Sequence, residues 1–328
     1  MGQMHGVRQD GYGGTEVLRP ATLPMPAPSA REVLVHVEAA ALDRGTWHVM
    51  TGLPRIARVG LGLRRPRNQV PGLDVAGVVE AVGPGVTAFA VGDPVFGTAR
   101  GSFADYAIAR VDTLVRRPAC LTPTQAAALG VSGCTAVQAL DAARVGEGSS
   151  VLVIGASGGV GSLAVMIAAL RGADVTAVCS GSKADAVRGW GARQILDYAQ
   201  NELAHDTTRY DAVLDIAGGT SLNRLRELTA PRGSIVFVGQ EGGGEWTGGF
   251  GAPMRNAVQM LPGRQRYVML MSRVRSADLA QLAALADADG LRPHLHATFT
   301  LSEVSSAMDC LISGAVVGKI AVVPDHAA

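Results

Sequence analysis

The chain has 328 residues, 48% hydrophobic and 17% charged, with a mean hydropathy of +0.22. So apolar a composition excludes a disordered chain, and the length fits two domains at roughly 150 residues each. With 29 basic and 28 acidic residues the net charge is +1, which lacks the basic excess of a nucleic-acid binder; Arg55, Arg58, Arg64, Arg65 and Arg67 read as a solvated loop.

Residues 1–10 carry no apolar core of a signal peptide, so a cytoplasmic protein is expected. Pro24, Pro26 and Pro28 form a rigid connector. Strands follow at 32–38, at 75–82 before Gly83-Pro84-Gly85, and at 94–97 after a Gly92-Asp93 turn. Short strands punctuated by such turns predict a β-barrel-like domain. Thr122 and Pro123 then open a helix, as cap and first residue. The four cysteines, Cys120, Cys134, Cys179 and Cys310, are far apart, which argues against disulfides and a cysteine-rich zinc site.

From about residue 150 the rhythm changes to alternating strands and helices. Strands are expected at 151–154, 175–178, 194–196, 212–215, 235–238 and 267–271, with helices at 160–170, 183–190, 221–228 and 276–288. This alternation predicts a parallel sheet covered on both faces. Residues 148–170 are uncharged and long enough to span a bilayer. Their glycines and serines favour a buried strand, turn and helix, so no membrane partner is expected. Residues 242–251 read as a glycine-rich loop. The tail returns to the first style, with a strand near 298, a helix at 303–312 and a strand at 319–323. It is expected to complete the N-terminal domain. The domains are therefore placed at 1–121 with 292–328, and at 122–291.

Between the strand at 151–154 and the helix at 160–170 lies Gly155-Ala156-Ser157-Gly158-Gly159-Val160-Gly161. Aligned on G-x-G-x-x-G it places Ala156, Gly158 and Gly161 at the small positions. These permit a tight turn and the approach of backbone N–H groups to a pyrophosphate. The alternative is a glycine turn that only packs helix on strand. The second strand ends in Cys179, where an NAD site usually carries an acid for the ribose hydroxyl. Ser180, Ser182 and Lys183 follow, all donors suited to a 2′-phosphate. NADPH is the expected cofactor, with an ordinary solvated lysine as the alternative at position 183.

The chain resembles the medium-chain dehydrogenase/reductase superfamily, in its zinc-independent quinone oxidoreductase branch. The resemblance rests on Gly72-Leu73-Asp74-Val75-Ala76-Gly77, Val91-Gly92-Asp93-Pro94-Val95-Phe96-Gly97, residues 156–161, Gly191-Ala192 and Gly318-Lys319. It implies a Rossmann domain, a GroES-like substrate domain completed by the C-terminal segment, a cleft between them and a homodimer. It also implies that Lys183 and Tyr198, with the family's spacing, hold the 2′-phosphate, and that Lys319 contacts the cofactor. Zinc members carry Gly-His-Glu where this chain has Gly72-Leu73-Asp74, and a lobe of cysteines where residues 98–108 have none. No metal is therefore expected.

In the family's active-site stretch Asp43 falls on an Asn and His48 on a Tyr; Thr46 and Trp47 lie between them. Asp43 can accept from a nicotinamide ribose but cannot donate. His48 is a candidate proton donor, since histidine changes charge near neutral pH; the alternative is a cleft-wall histidine with solvent as donor. Thr135 matches a position beside the nicotinamide, and Gly239 is expected to let backbone approach it. Together these imply an NADPH-dependent reductase of a quinone or an α,β-unsaturated carbonyl compound. A metal-free carbonyl or alcohol dehydrogenase and a non-catalytic NADPH-binding protein are the alternatives.

Overall fold

The computed structural model describes residues 2–239, 246 and 264–325. The expected loop at 242–251 lies outside the described residues, Trp246 excepted. By contacts the chain divides into two units, Met1–Cys134 with Arg273–Ala328, and Thr135–Ser272. Residues 122–134 and 273–291, placed on sequence grounds with the dinucleotide-binding domain, group with the first unit. The helix Ser276–Asp289 explains part of this. Its Leu279 lies against Gly97 and its Leu282 against Gly133, and both leucines are fully buried.

The strand Glu32–Leu42 organises the first unit. Its first half pairs with Tyr106–Arg110, its end with Lys319–Val323, and along its other edge it runs antiparallel to Asp74–Val82. Register shifts at Leu34/Val35 and Val37/Ala39 bend it enough to reach all three. The sheet continues through Pro94–Thr98 to Leu114–Arg116 on one side and, beyond Lys319–Val323, to Leu295–Thr300 on the other. The C-terminal segment thus completes a sheet begun by the N-terminal one, as expected. Two features the sequence did not disclose are the hairpin Gln3–Arg8 with Arg19–Pro24 and the helix Arg44–Thr51.

In the second unit six strands, among the described residues, run parallel. Their order across the sheet is Gln194–Asp197, Asp174–Cys179, Ser150–Ile154, Tyr210–Asp215, Thr229–Phe237 and Arg266–Met269. The chain winds outward one way from Ser150–Ile154, then crosses back to lay Tyr210–Asp215 on its other side. Ligands of such sheets bind where the order reverses, at the carboxyl ends of the strands. The uncharged stretch 148–170 is indeed strand, turn and helix. Val151–Ile154 is buried throughout, and the helix Gly159–Leu170 is buried from Gly161 to Ala168. A helix enclosed on all sides has no polar face to present. No described helix is long and apolar enough to cross a membrane.

Candidate functional site

The glycine turn follows Ser150–Ile154, the strand at the reversal of the sheet. Gly155 has φ +88° and Ala156 is fully buried beneath it. A side chain at Gly161 would strike the Gly155 carbonyl oxygen, so only glycine lets the helix Gly159–Leu170 start this close to the strand. At Gly158 the nearest atom to an added Cβ is the Gly155 oxygen at 3.6 Å, which leaves the backbone approachable. Gly158 caps the helix without a side-chain hydrogen bond, so the first-turn N–H groups have no partner within the helix. Ser157, Gly159 and Val160 are half-buried around this turn. Small residues, approachable backbone and a helix N-terminus together fit a pyrophosphate.

The donors expected to read the 2′ position lie at neighbouring strand ends. Cys179 pairs in register with Asp197, so Ser180, Ser182 and Lys183 leave one strand where Tyr198 leaves the next. The Ser180 and Ser182 hydroxyls are 3.2 Å apart. Lys183 is half-buried, and burial pulls its ammonium below the ordinary lysine value. Tyr198 is 64% exposed. The buried Cys179 is an uncharged thiol, raised chiefly by burial. One carboxylate stands among these donors: Asp197 accepts from the Ala199 N–H at 2.9 Å and lies against Gly181.

Thr135 donates its hydroxyl hydrogen to Ser272 at 2.9 Å. The absence of a side chain at Gly239 has a local cause, because a Cβ there would strike the Ile216 carbonyl. Asp215, which sequence reasoning missed, ends the strand paired with Ser150–Ile154 and sits opposite Ile154. It is 2% exposed, accepts from the Gly218 N–H at 3.0 Å, and burial lifts its carboxyl to about 6. Its signal in the sequence is an acid closing an apolar run.

In the first unit Asp43 caps the helix Arg44–Thr51. Its Oδ1 accepts from the Thr46 N–H at 2.8 Å and the Thr46 hydroxyl at 3.1 Å, while its Oδ2 is buried without a partner among the described residues. Thr46 is 2% exposed, so its hydroxyl serves the cap. Trp47 packs against the apolar cluster of Val7, Leu42, Met50 and Phe103 and sets its ring edge-on to His48, with centroids 4.9 Å apart. Gly52 ends the helix at φ +63°. His48 Nδ1 lies 2.7 Å from the Leu53 carbonyl oxygen. A carbonyl only accepts, so Nδ1 carries the hydrogen and Nε2 bears one only in the imidazolium.

Lys319, expected at the cofactor, is turned into the first unit. Its ammonium donates to Asp74 Oδ2 at 3.0 Å and to Ser132 Oγ at 3.1 Å, and it is 2% exposed. Asp74 Oδ1 accepts from the Val131 N–H at 2.6 Å, in the first turn of the helix Gly130–Ala143 that carries Thr135. The cause is satisfaction of charge: the fully buried Asp74 carboxylate takes the ammonium as its partner. Burial lifts Asp74 from 3.8 to about 6; Lys319 pulls it down and Asp43 pushes it up. In the same helix Cys134 is fully buried and its thiol is pushed up to about 12 by burial, which makes it packing and not a nucleophile. Among the described residues no three His, Cys, Asp or Glu side chains gather as a metal-ligand set.

Residues 29–119 match the alcohol dehydrogenase GroES-like domain, and residues 190–322 match the zinc-binding dehydrogenase family. A quinone-oxidoreductase homolog, chloroplastic, of Spinacia oleracea is 31% identical over 337 residues, with 98% of each chain covered. The quinone oxidoreductase of Pongo abelii is 33% identical over 251 residues, covering 73% of this chain and 74% of that one. The solved quinone oxidoreductase from Coxiella burnetii is 28% identical with a TM-score of 0.85, covering 98% of this chain and 99% of that one. With the dinucleotide turn at the reversal of a parallel sheet, these matches show that the chain belongs to the medium-chain dehydrogenase/reductase superfamily, in its quinone-oxidoreductase-like branch, as an oxidoreductase with a nicotinamide cofactor.

Proposed function

We propose that the protein is an NADPH-dependent, zinc-independent reductase of quinones or α,β-unsaturated carbonyl compounds. The observation that carries the cofactor choice is the uncharged Cys179 at the strand end where an acid would select NAD, with Ser180, Ser182, Lys183 and Tyr198 beside it. The acceptor class is supported by the relatives named quinone oxidoreductases.

When bound, the reduced nicotinamide supplies a hydride for the electrophilic carbon of the substrate. The residues of this chain bind, orient and protonate. The turn from Gly155 to Gly161 offers N–H groups to the pyrophosphate, and Lys183 with the serine hydroxyls neutralises the 2′-phosphate. Asp43 Oδ2, buried and unpartnered, is an acceptor for a ribose hydroxyl. Thr135 and Gly239 border the nicotinamide in this reading. His48 donates from Nε2 to the reduced substrate, and it does so only as the imidazolium. His48→Ala is therefore expected to lower enone turnover more than tenfold, ~1.4 kcal/mol or more, with cofactor affinity little changed. Near-normal turnover in His48→Ala would make solvent the donor.

Zinc is left out of this reading because Leu73 offers no ligand where zinc members carry histidine. Protein dialysed against a chelator is expected to keep its turnover, and one zinc per chain by elemental analysis would contradict this. The homodimer implied by the family belongs to the same proposal. The deciding experiment is NADPH oxidation with a panel of quinones and enones. Turnover supports a reductase; NADPH binding without turnover on any member of the panel would leave a non-catalytic binding protein.

A further inference from the structure

Residues 44–73 contain six arginines and no acidic residue, in a chain whose net charge is only +1. Read as a solvated loop, this segment should keep its apolar side chains inward. It does the reverse. Ile56 is 59% exposed, Val59 69% and Leu63 73%. They lie on or beside the short helices Arg55–Ala57 and Arg58–Leu61.

This outward placement is held by specific contacts. The Arg58 guanidinium stacks 4.4 Å from the Tyr12 ring centroid and donates to the Gly52 and Thr51 carbonyls at 2.9 and 3.3 Å. The Tyr12 hydroxyl donates to the Gly62 carbonyl at 2.6 Å. A backbone pinned at both ends of the segment keeps three large aliphatic side chains in water, which costs free energy unless something covers them.

The charge beside them indicates what does. Arg64 and Arg65 form no hydrogen bond or ion pair among the described residues, and both are exposed. Arg65 and Arg67 line, with Arg8, Pro66 and Gln69, a cleft of about 430 Å³. Arg8 is itself paired with Asp10 at 2.7 Å. Aliphatic side chains flanked by unpaired guanidinium groups are the combination that seats a surface segment at an anionic bilayer. The aliphatic groups enter the acyl boundary while the arginines meet lipid phosphates.

We infer that residues 55–67 form a peripheral docking surface for anionic phospholipid membranes. The attachment lies on the bilayer and crosses nothing. It does not depend on the reductase reading, because docking is measured without turnover.

The test is sedimentation of the full-length protein with vesicles of phosphatidylcholine alone and of phosphatidylcholine mixed equally with phosphatidylglycerol. The protein is expected to sediment with the mixed vesicles at low salt, to partition at least about tenfold less onto neutral ones, and to be released by high salt. An arginine at such a surface contributes about fivefold, so Arg64→Ala with Arg65→Ala should cut partition at least about tenfold. Leu63→Asp should cut it comparably by removing the inserted group. Equal binding to both vesicle types, binding to neither, or variants that bind as the parent does would overturn the inference. So would release by millimolar inorganic phosphate, which would assign the cleft to a free anion. Loss of a dimer on Leu63→Asp would also overturn it, because a second copy would then be what covers the face.

Discussion

Lys319→Met is expected to destabilise the protein by about 3–5 kcal/mol at about pH 8, and by clearly less at about pH 5. Lys319 and Asp74 are 2% and 0% exposed, so the substitution leaves a carboxylate inside the fold without its cation. The Val131 N–H alone would face it, with the Asp43 carboxylate raising its cost further. The pH dependence follows from the direction of the shift. Burial raises Asp74 from 3.8 to about 6 in the folded protein. A folded-state value above the unfolded one means that the folded form binds the proton more tightly. The contribution of Asp74 to stability is therefore fully present below about pH 4 and is lost as pH rises through about 6. Lys319 lowers Asp74, so removing it moves the upper limit of this window higher and enlarges the loss at alkaline pH. Denaturant melts at the two pH values check this. Asp74→Asn added to Lys319→Met should recover much of the stability, since both charges are then gone. An equal loss at both pH values would show that the pair contributes packing and not charge.

Lys183→Ala is expected to raise the KM for NADPH by one to two orders of magnitude, about 1.5–3 kcal/mol, while the KM for NADH barely moves. Lys183 is half-buried and burial disfavours its charged form. A bound phosphate dianion would reverse that penalty by pairing with it. Asp197, on the neighbouring strand end, would oppose the same phosphate and hold the preference to this moderate size. Steady-state kinetics with each cofactor at a fixed acceptor concentration separates the two effects. A parallel loss for NADH would mean that Lys183 supports the loop alone.

The Rossmann unit was legible because its strands are buried on both faces. Val151 to Ile154 forms an unbroken apolar run, and the small residues at Ala156, Gly158 and Gly161 follow it at a spacing that only a strand–turn–helix accommodates. The helix Arg44–Thr51 was not legible. Gly45, Thr46, Trp47, His48 and Val49 are weak helix formers, and the helix exists through its ends: the Asp43 cap, and Gly52 in the left-handed region. That helix also decides the tautomer of His48, through a carbonyl from the turn beyond it. The Lys319–Asp74 pair joins residues 245 positions apart, and no local pattern announces such a contact. The resemblance singles out Lys319 at the cofactor, and the structure pairs its ammonium with the buried Asp74. The exposed aliphatic residues of segment 55–67 escaped for a related reason. Composition counts side chains, and only the backbone contacts of Arg58 and Tyr12 show which way they are held.

The most direct test of the proposed function is the ratio of kcat/KM for NADPH to that for NADH in the unmodified protein, with a quinone as acceptor. A ratio of about 10–100 in favour of NADPH is the predicted result, on the order of 1.5–3 kcal/mol. Equal use of the two cofactors would contradict the reading of Cys179, Ser180, Lys183 and Tyr198 as a 2′-phosphate site.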